Sequence, residues 1–187
     1  MTANVSTDNV TAAKPKVGGC LFRAPIGTDL PTDAKTVLNE AFTSLGYISE
    51  DALENGKALG DVVKAWGGDV VLRKSGEDPF TCTLIESINP EVLKLVHGSN
   101  NVSGTIESGI TVKVGDPDIE KFCYVVEMVL KGDILKRVVI PQATITEIGE
   151  VKYGDDEVVG YKVTLTAEKD TTGFTHYEHI CKQGAKE

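Results

Sequence analysis

FCYVVEMVL-KGD-ILKRVVI, residues 122–140, is the stretch that determines the fold class of this chain. Both apolar runs are rich in valine and isoleucine, which favour extended backbone. The break Lys131-Gly132-Asp133 between them is typical of a tight turn. The stretch therefore predicts an antiparallel hairpin whose two strands pair side by side.

Apolar segments of strand length continue on both sides of this hairpin. They lie at 19–25, 79–86, 102–114, 144–153, 158–167 and 173–181. Turn-like segments separate several of them, as at Gly154-Asp155-Asp156 and at 170–173. Strands joined by short loops form antiparallel meanders, so we predict a mainly β fold, either a sandwich or barrel-like, strongly curved sheets.

One short α-helix is predicted between Asn89 and Gly98. Asn89 suits the N-cap, Pro90 suits the first helical position, and Gly98 suits the C-terminal cap. The apolar residues at 92, 93, 95 and 96 form one face, which needs a sheet to pack on. Segment 32–45 also has helical spacing, but its threonines and serine weaken a helix, and an extended segment is the alternative.

Two segments lack a core pattern. Residues 1–18 form an N-terminal arm, which is either disordered, as its composition favours, or ordered on a neighbouring subunit. Residues 19–187 form a single domain that contains a long loop at about 46–78. Six glycines interrupt this loop, with candidate strands at 59–66 and 70–73, so we predict a structured loop or an open hairpin. Such long loops are uncommon in compact domains unless they have a function.

Composition excludes several classes of protein. The chain has 187 residues, 41% of them hydrophobic, which suits one packed domain. Its formal net charge of −9 argues against binding nucleic acid by neutralising phosphates. No apolar run approaches the roughly 20 residues of a membrane-spanning helix. Four cysteines without C-x-x-C spacing predict buried, reduced thiols.

The segment HYEHIC contains His176, His179 and Cys181, which are all competent metal ligands. Strand alternation places His179 and Cys181 on one face and His176 on the other, which favours a structural strand over a metal site. Segment 116–121 begins like a calcium loop but has Lys121 where glycine is needed, so a turn is predicted. Phosphate-binding glycine motifs and nucleophile elbows do not occur. We therefore assign no catalytic, metal or cofactor-binding residue and no cofactor, and predict that the protein is not an enzyme.

Three further residues or pairs have plain structural interpretations. Trp66 is the only tryptophan and is expected to lie in the core or at an interface. Gly67-Gly68 is predicted to form a turn. His97 closes the helix, where a polar or cationic residue complements the helix dipole.

A family pattern runs through the chain. It comprises GCLFRAPIGTDLPTDAKTVLNEAFTSLGYISEDALENG (19–56), AWGG (65–68), TLIE (83–86), VIPQA (139–143) and VTLT (163–166). These short motifs, in this order over about residues 18–180, resemble the major tail proteins of long-tailed bacteriophages.

This resemblance implies a β-sandwich tail tube fold with a flanking helix. It implies subunits that form rings, usually hexameric, which stack into a hollow tube whose inner strands merge into one barrel. Double-stranded DNA passes through that tube in transit to the host. The implied partners are further copies of the chain and the tape measure, tail tip and tail terminator proteins. The implied location is the virion tail, assembled in the host cytoplasm, and no catalytic residue is implied.

The resemblance agrees with the residue-level interpretation in three respects. The loop at 46–78 would connect subunits, the arm at 1–18 would order against an adjacent ring, and the acidic charge would let DNA slide through the lumen. One alternative is a soluble β-sandwich module that binds ligands or carbohydrates, against which the 6% aromatic content counts weakly. The other is a metal-dependent enzyme that uses His176, His179 and Cys181.

Overall fold

The computed structural model describes residues 6–17, 19–68, 71–116 and 120–183. Within these ranges the chain forms thirteen strands, two single 3-10 turns and one α-helix, α1 (Pro90–His97). The strands are β1 (Ala13–Pro15), β2 (Leu21–Pro25), β3 (Thr43–Ser44), β4 (Glu54–Asn55), β5 (Val62–Lys64), β6 (Val71–Arg73), β7 (Pro79–Leu84), β8 (Val102–Ser103), β9 (Thr111–Val112), β10 (Phe122–Leu130), β11 (Ile134–Ile148), β12 (Tyr161–Ala167) and β13 (Tyr177–Lys182).

The predicted hairpin of β10 and β11 lies at the centre of the main sheet. Its register pairs Leu130 with Ile134 across the turn, in which Gly132 and Asp133 have φ angles of 84° and 56°. The main sheet has the order β3-β2-β10-β11-β12-β7-β4, with β1 added to β10 and β13 added to β11. Every pairing in it is antiparallel. The prediction of a mainly β fold with antiparallel sheets and one helix is confirmed.

β11 is a single long strand where the sequence predicts two. Residues 134–139 pair with both β10 and β13, whereas residues 143–148 pair with β12. Pro141 lies between these halves, next to a register shift in the pairing with β10. Proline donates no ladder hydrogen bond, and a pairing irregularity is where a strand tolerates it. The prediction of a separate strand at 144–153 is therefore wrong.

Both halves of β11 contribute to one hydrophobic core. Val138 and Ile140 come from the first half, and Ala143 and Ile145 from the second. The sheet thus curves around its core, as sheets do when one strand bends between two layers. β7 contributes through strict alternation, with Phe80, Cys82 and Leu84 buried.

α1 packs its predicted apolar face on this core. The buried residues of the helix are Val92, Leu93, Leu95 and Val96. The Asn89 side chain accepts a hydrogen bond from the backbone N–H of Glu91 at 2.9 Å, and Gly98 ends the helix with φ 91°. The predicted helix and both of its caps are confirmed.

Two expected elements differ from the structure. Segment 32–45, for which the sequence leaves both a helix and an extended segment open, forms bends and a turn before the short strand β3. At its start, the Asp33 carboxylate accepts hydrogen bonds from the backbone N–H groups of Lys35 and Thr36. Such a local turn competes with helix formation. The strand expected at 102–114 is instead the short hairpin of β8 and β9, since Gly104 and Gly109 adopt positive φ between them.

The second face of β10 and β11 is buried as well. Cys123, Val125 and Val139 are nearly inaccessible and alternate with residues of the main core. Arg137, on this second face, donates hydrogen bonds to the backbone carbonyls of Asp33 and Thr36, both at 2.8 Å. The 26–42 segment is thereby held over the sheet, which is covered on both sides.

Part of the N-terminal arm is ordered on its own chain. Ala13–Pro15 pairs with the end of β10, and Lys16 Nζ lies 2.7 Å from the Glu127 carboxylate. The disorder that composition favours does not hold for this part of the arm, because β10 offers an edge beyond the end of β2. Residues 1–5 and 18 lie outside the described residues.

Candidate functional site

Residues 56–68 and 71–77 form the two arms of a hairpin, here called the projecting hairpin. Its strands β5 and β6 form a two-stranded sheet separate from the main sheet, with Val62 opposite Arg73 and Lys64 opposite Val71. Of the structured loop and the open hairpin predicted as alternatives within 46–78, the structure has a hairpin, whose first strand is shorter than the expected 59–66. At its tip, Gly67 and Gly68 have positive φ and form the predicted turn.

The side chains of this hairpin face solvent on both sides. Alternate residues of a strand point to opposite faces, yet every residue of β5 and β6 is exposed. Trp66, expected in the core or at an interface, does not lie in the core, because its side chain is 104% exposed at the hairpin tip. The exposed apolar residues are Leu59, Val62, Val63, Trp66, Val71 and Leu72. Exposed apolar residues concentrated on one hairpin indicate an interaction site.

Two glycines allow the stem of the hairpin to close. A Cβ atom on Gly60 would collide with the backbone carbonyl of Lys74, and one on Gly76 would collide with that of Ala58. The stem backbones are joined by the hydrogen bond from Lys74 N to the Asp61 carbonyl at 2.9 Å. Only glycine permits so close an approach of the two chain segments.

Asp78 holds the base of the hairpin on the domain. Its buried carboxylate accepts hydrogen bonds from Asn55 Nδ2 at 2.8 Å and from the Thr175 hydroxyl, and it lies 2.7 Å from His176 Nδ1. Burial disfavours the ionised form, but the hydrogen bonds from Asn55, Thr175 and His176 outweigh it, and the pKa of Asp78 is lowered. The cluster joins β4 and β7 to the segment that leads into β13.

We expect the variant Asp78→Asn to lose about 1–3 kcal/mol of unfolding free energy at pH 7, because the amide puts a donor in place of one of the two acceptor oxygens and leaves a buried hydrogen-bond partner without its acceptor. The pKa of Asp78 is lowered on folding, so its stabilisation is present above the unfolded pKa of about 3.9 and is lost as the pH falls through the folded value. The difference between wild type and variant should therefore shrink between pH 5 and pH 2. Urea unfolding across this range measures it. The exposed Asp61→Asn serves as control, and a difference independent of pH would contradict the assignment.

One long strand edge of the main sheet is open. β13 pairs with β11 on one side, and no described strand pairs with its other side. Glu178, Ile180 and Lys182 are exposed along it. An unpaired edge presents backbone N–H and C=O groups that another chain can pair with.

The histidines and cysteine of HYEHIC lie apart in the fold. His176 contacts Asp78 and meets the Phe80 ring edge-on at 5.2 Å, whereas His179 and Cys181 lie on β13 opposite Arg137 and Leu135. Across the described ranges, no three His, Cys, Asp or Glu side chains are placed to hold a metal ion.

The remaining sequence-level assignments lie elsewhere. His97 meets the Tyr161 ring edge-on at 5.7 Å, and burial lowers its pKa. Cys20, Cys82 and Cys123 are buried free thiols, as predicted, and burial raises the pKa of Cys82 to about 12. Cys181 is free as well, but it is only half-buried, so the prediction of burial is wrong for this residue. The turn expected at 116–121 falls largely on residues 117–119, which lie outside the described residues.

Sequence reasoning did not identify Asp78 as a structural residue. Its only local signal is an acid placed directly before Pro79 and a strictly alternating strand. Its partners Asn55, Thr175 and His176 are distant in the chain, and nothing in the sequence relates them to it.

No helix in the described part of the chain is long and apolar enough to cross a membrane.

The search of curated protein sequences gives no match. The family described as phage tail tube protein matches residues 2–186. Because this match covers nearly the whole sequence, the chain belongs to the phage tail tube protein family.

Proposed function

We propose that this protein assembles into rings of six subunits, and that these rings stack into the hollow tube of a phage tail. Membership in the tail tube family gives it a structural role in the virion tail. The observation that carries the assembly proposal is the projecting hairpin, whose apolar side chains are exposed on both faces. A lone two-stranded hairpin is only marginally stable in water, and burial against neighbouring subunits would stabilise it.

Strand edges support lateral assembly within a ring. The open edge of β13 lies on one side of the sheet, and the short strands β1 and β3 lie at the other. Pairing of β13 with the opposite edge of the next copy would satisfy its free backbone groups and extend the sheet around a lumen. Residues 1–18 would then contact an adjacent ring, and β1 would lie where the two rings meet.

Charge supports the passage of DNA through the tube. The net charge of −9 would give an acidic lumen that repels phosphate, so that the genome slides without binding. We propose the tape measure, tail tip and tail terminator proteins as partners, and the host cytoplasm as the place of assembly. We propose no reaction for this protein.

The alternative of a carbohydrate-binding module would require aromatic side chains gathered in a concave site. Trp66 instead projects from the tip of a hairpin. The position of Trp66 therefore disfavours a carbohydrate-binding site.

Negative-stain electron microscopy of the purified chain over a concentration series tests the proposal. We expect hollow rings or tubes of uniform diameter above a critical concentration, because pairing of edges and hairpins is intermolecular. Where subunits remain separate at every concentration, purified tail tips are added to nucleate growth. Separate subunits in the presence of tail tips would contradict self-assembly.

A further inference from the structure

A cationic cavity lies beside the base of the projecting hairpin. Its volume is about 340 Å3, and it is bounded by the hairpin stem on one side and by residues 169–176 on the other. Four basic side chains line it: Lys57, Arg73, Lys74 and Lys169. Glu77 and Asp78 are the carboxylates among the lining residues. This local excess of positive charge contrasts with the net charge of −9 of the whole chain.

The basic groups of this cavity are held mainly by neutral acceptors. Arg73 Nη1 donates to the Gly60 carbonyl at 3.2 Å, and Lys169 Nζ donates to the Ser75 hydroxyl at 3.0 Å. Lys57 Nζ lies 3.6 Å from Asp78, whose carboxylate already has three closer partners. The four basic residues outnumber the two carboxylates, so the cavity retains positive charge that an anionic group can neutralise.

A complementary segment is present in the same chain, in the connection between β11 and β12. Asp155, Asp156 and Glu157 are three consecutive exposed carboxylates, here called the acidic turn. Lys152 lies 3.4 Å from Glu157, and no ion pair involves Asp155 or Asp156 among the described residues. The acidic turn does not line the cavity of its own chain.

We propose that the cationic cavity binds the acidic turn of a second copy of this chain. The inference rests on the proposed assembly and assigns a specific pair of surfaces to it. Opposite charges at an interface fix the register of the partners and speed their encounter, whereas like charges suppress wrong pairings. Hairpin burial would drive association, and this ionic contact would select which neighbouring surface the hairpin base meets.

Charge reversal tests the contact in the assembled state. The cavity variant carries Lys74→Glu and Lys169→Glu, the turn variant carries Asp155→Lys and Asp156→Lys, and the combined variant carries all four changes. We expect each of the first two to raise the critical concentration for tubes at least about tenfold, and the combined variant to return within about threefold of wild type. Lys113→Glu with Lys131→Glu is the control, since it changes net charge equally at exposed sites outside the cavity.

A second measurement does not depend on tube formation. A fluorescent peptide of residues 150–160 is titrated with the full chain at low and high salt. We expect saturable binding that weakens at high salt. Binding should be at least about tenfold weaker when asparagine replaces Asp155 and Asp156 and glutamine replaces Glu157 in the peptide. The cavity variant should not bind the peptide.

The outcomes separate the two proposals. Reversals without effect in a wild-type chain that forms tubes would overturn the cavity inference and leave the assembly proposal standing. Failure of the combined variant to recover would also overturn the inference. If wild type forms no tubes even with tail tips, the assembly proposal fails, and absence of peptide binding would then overturn the cavity contact as well.

Discussion

Replacing residues 61–73 by an Asn-Gly turn is expected to abolish tube formation and to leave the folded domain intact. The side chains of β5 and β6 are exposed on both faces, so their removal takes nothing from the core. Below the replaced residues, the stem stays closed by the hydrogen bond from Ala58 N to the Glu77 carbonyl at 3.0 Å, and Asn-Gly suits a two-residue connection between Gly60 and Lys74. In the tube, however, the hairpin would supply the main apolar surface buried between subunits.

Electron microscopy and sedimentation measure assembly, while circular dichroism and urea unfolding measure the fold. A milder variant, Trp66→Ser with Leu72→Ser, keeps the hairpin and removes two exposed apolar side chains. We expect it to raise the critical concentration at least about tenfold, since burying each such side chain contributes about 1.5–3 kcal/mol.

The matched control is Val37→Ser with Ile88→Ser, which removes two exposed apolar residues outside the hairpin. This control should assemble like wild type. Tubes of normal length from the shortened chain would refute the assigned role of the hairpin.

Arg137→Met should be the most destabilising single substitution in the domain, with an expected loss of about 3–5 kcal/mol of unfolding free energy. Arg137 is 2% exposed and pairs with Glu127 directly across β10 and β11. Burial disfavours ionised Glu127, but Lys16 and Arg137 outweigh it and lower the pKa of Glu127. Without Arg137, that buried carboxylate keeps only Lys16 as a charged partner. The carbonyls of Asp33 and Thr36 lose their donor as well.

Urea unfolding at pH 7 checks this result. Adding Glu127→Leu to Arg137→Met removes the unpaired charge, so the double variant should recover part of the lost stability. Lys136→Met is the control at the adjacent position, because its partner Glu178 is exposed and such pairs contribute about 0–1 kcal/mol. Equal losses for Lys136→Met and Arg137→Met would contradict the structural role of the buried pair.

Local chemistry was enough to predict the elements that form from neighbouring residues. Asn89, Pro90 and Gly98 indicated the bounds of α1, since caps and first-turn residues act within one turn. The pattern at 122–140 indicated the central hairpin for the same reason: its strands are joined by a short turn, and pairing follows from it. The segment at 79–86 likewise indicated β7, although its alternation did not say which of the two faces is buried.

Local patterns failed where distant residues decide the conformation. Segment 32–45 has helical spacing, but the Asp33 turn and the hydrogen bonds from Arg137 hold its start in a non-helical conformation. Pro141 signals a strand end, yet β11 continues through it because β10, β12 and β13 pair on either side. Both outcomes depend on partners about a hundred residues away or on separate strands.

The sequence by itself therefore determined a mainly β chain with one capped helix and, through its ordered motifs, a resemblance to phage tail proteins. Tertiary structure alone decided that Trp66 projects into solvent, that Asp78 holds the hairpin base, and that four basic residues meet in one cavity. Exposure and charge clustering depend on which distant segments pack together. Strand pairing sets that packing through long-range register, and sequence spacing does not encode it.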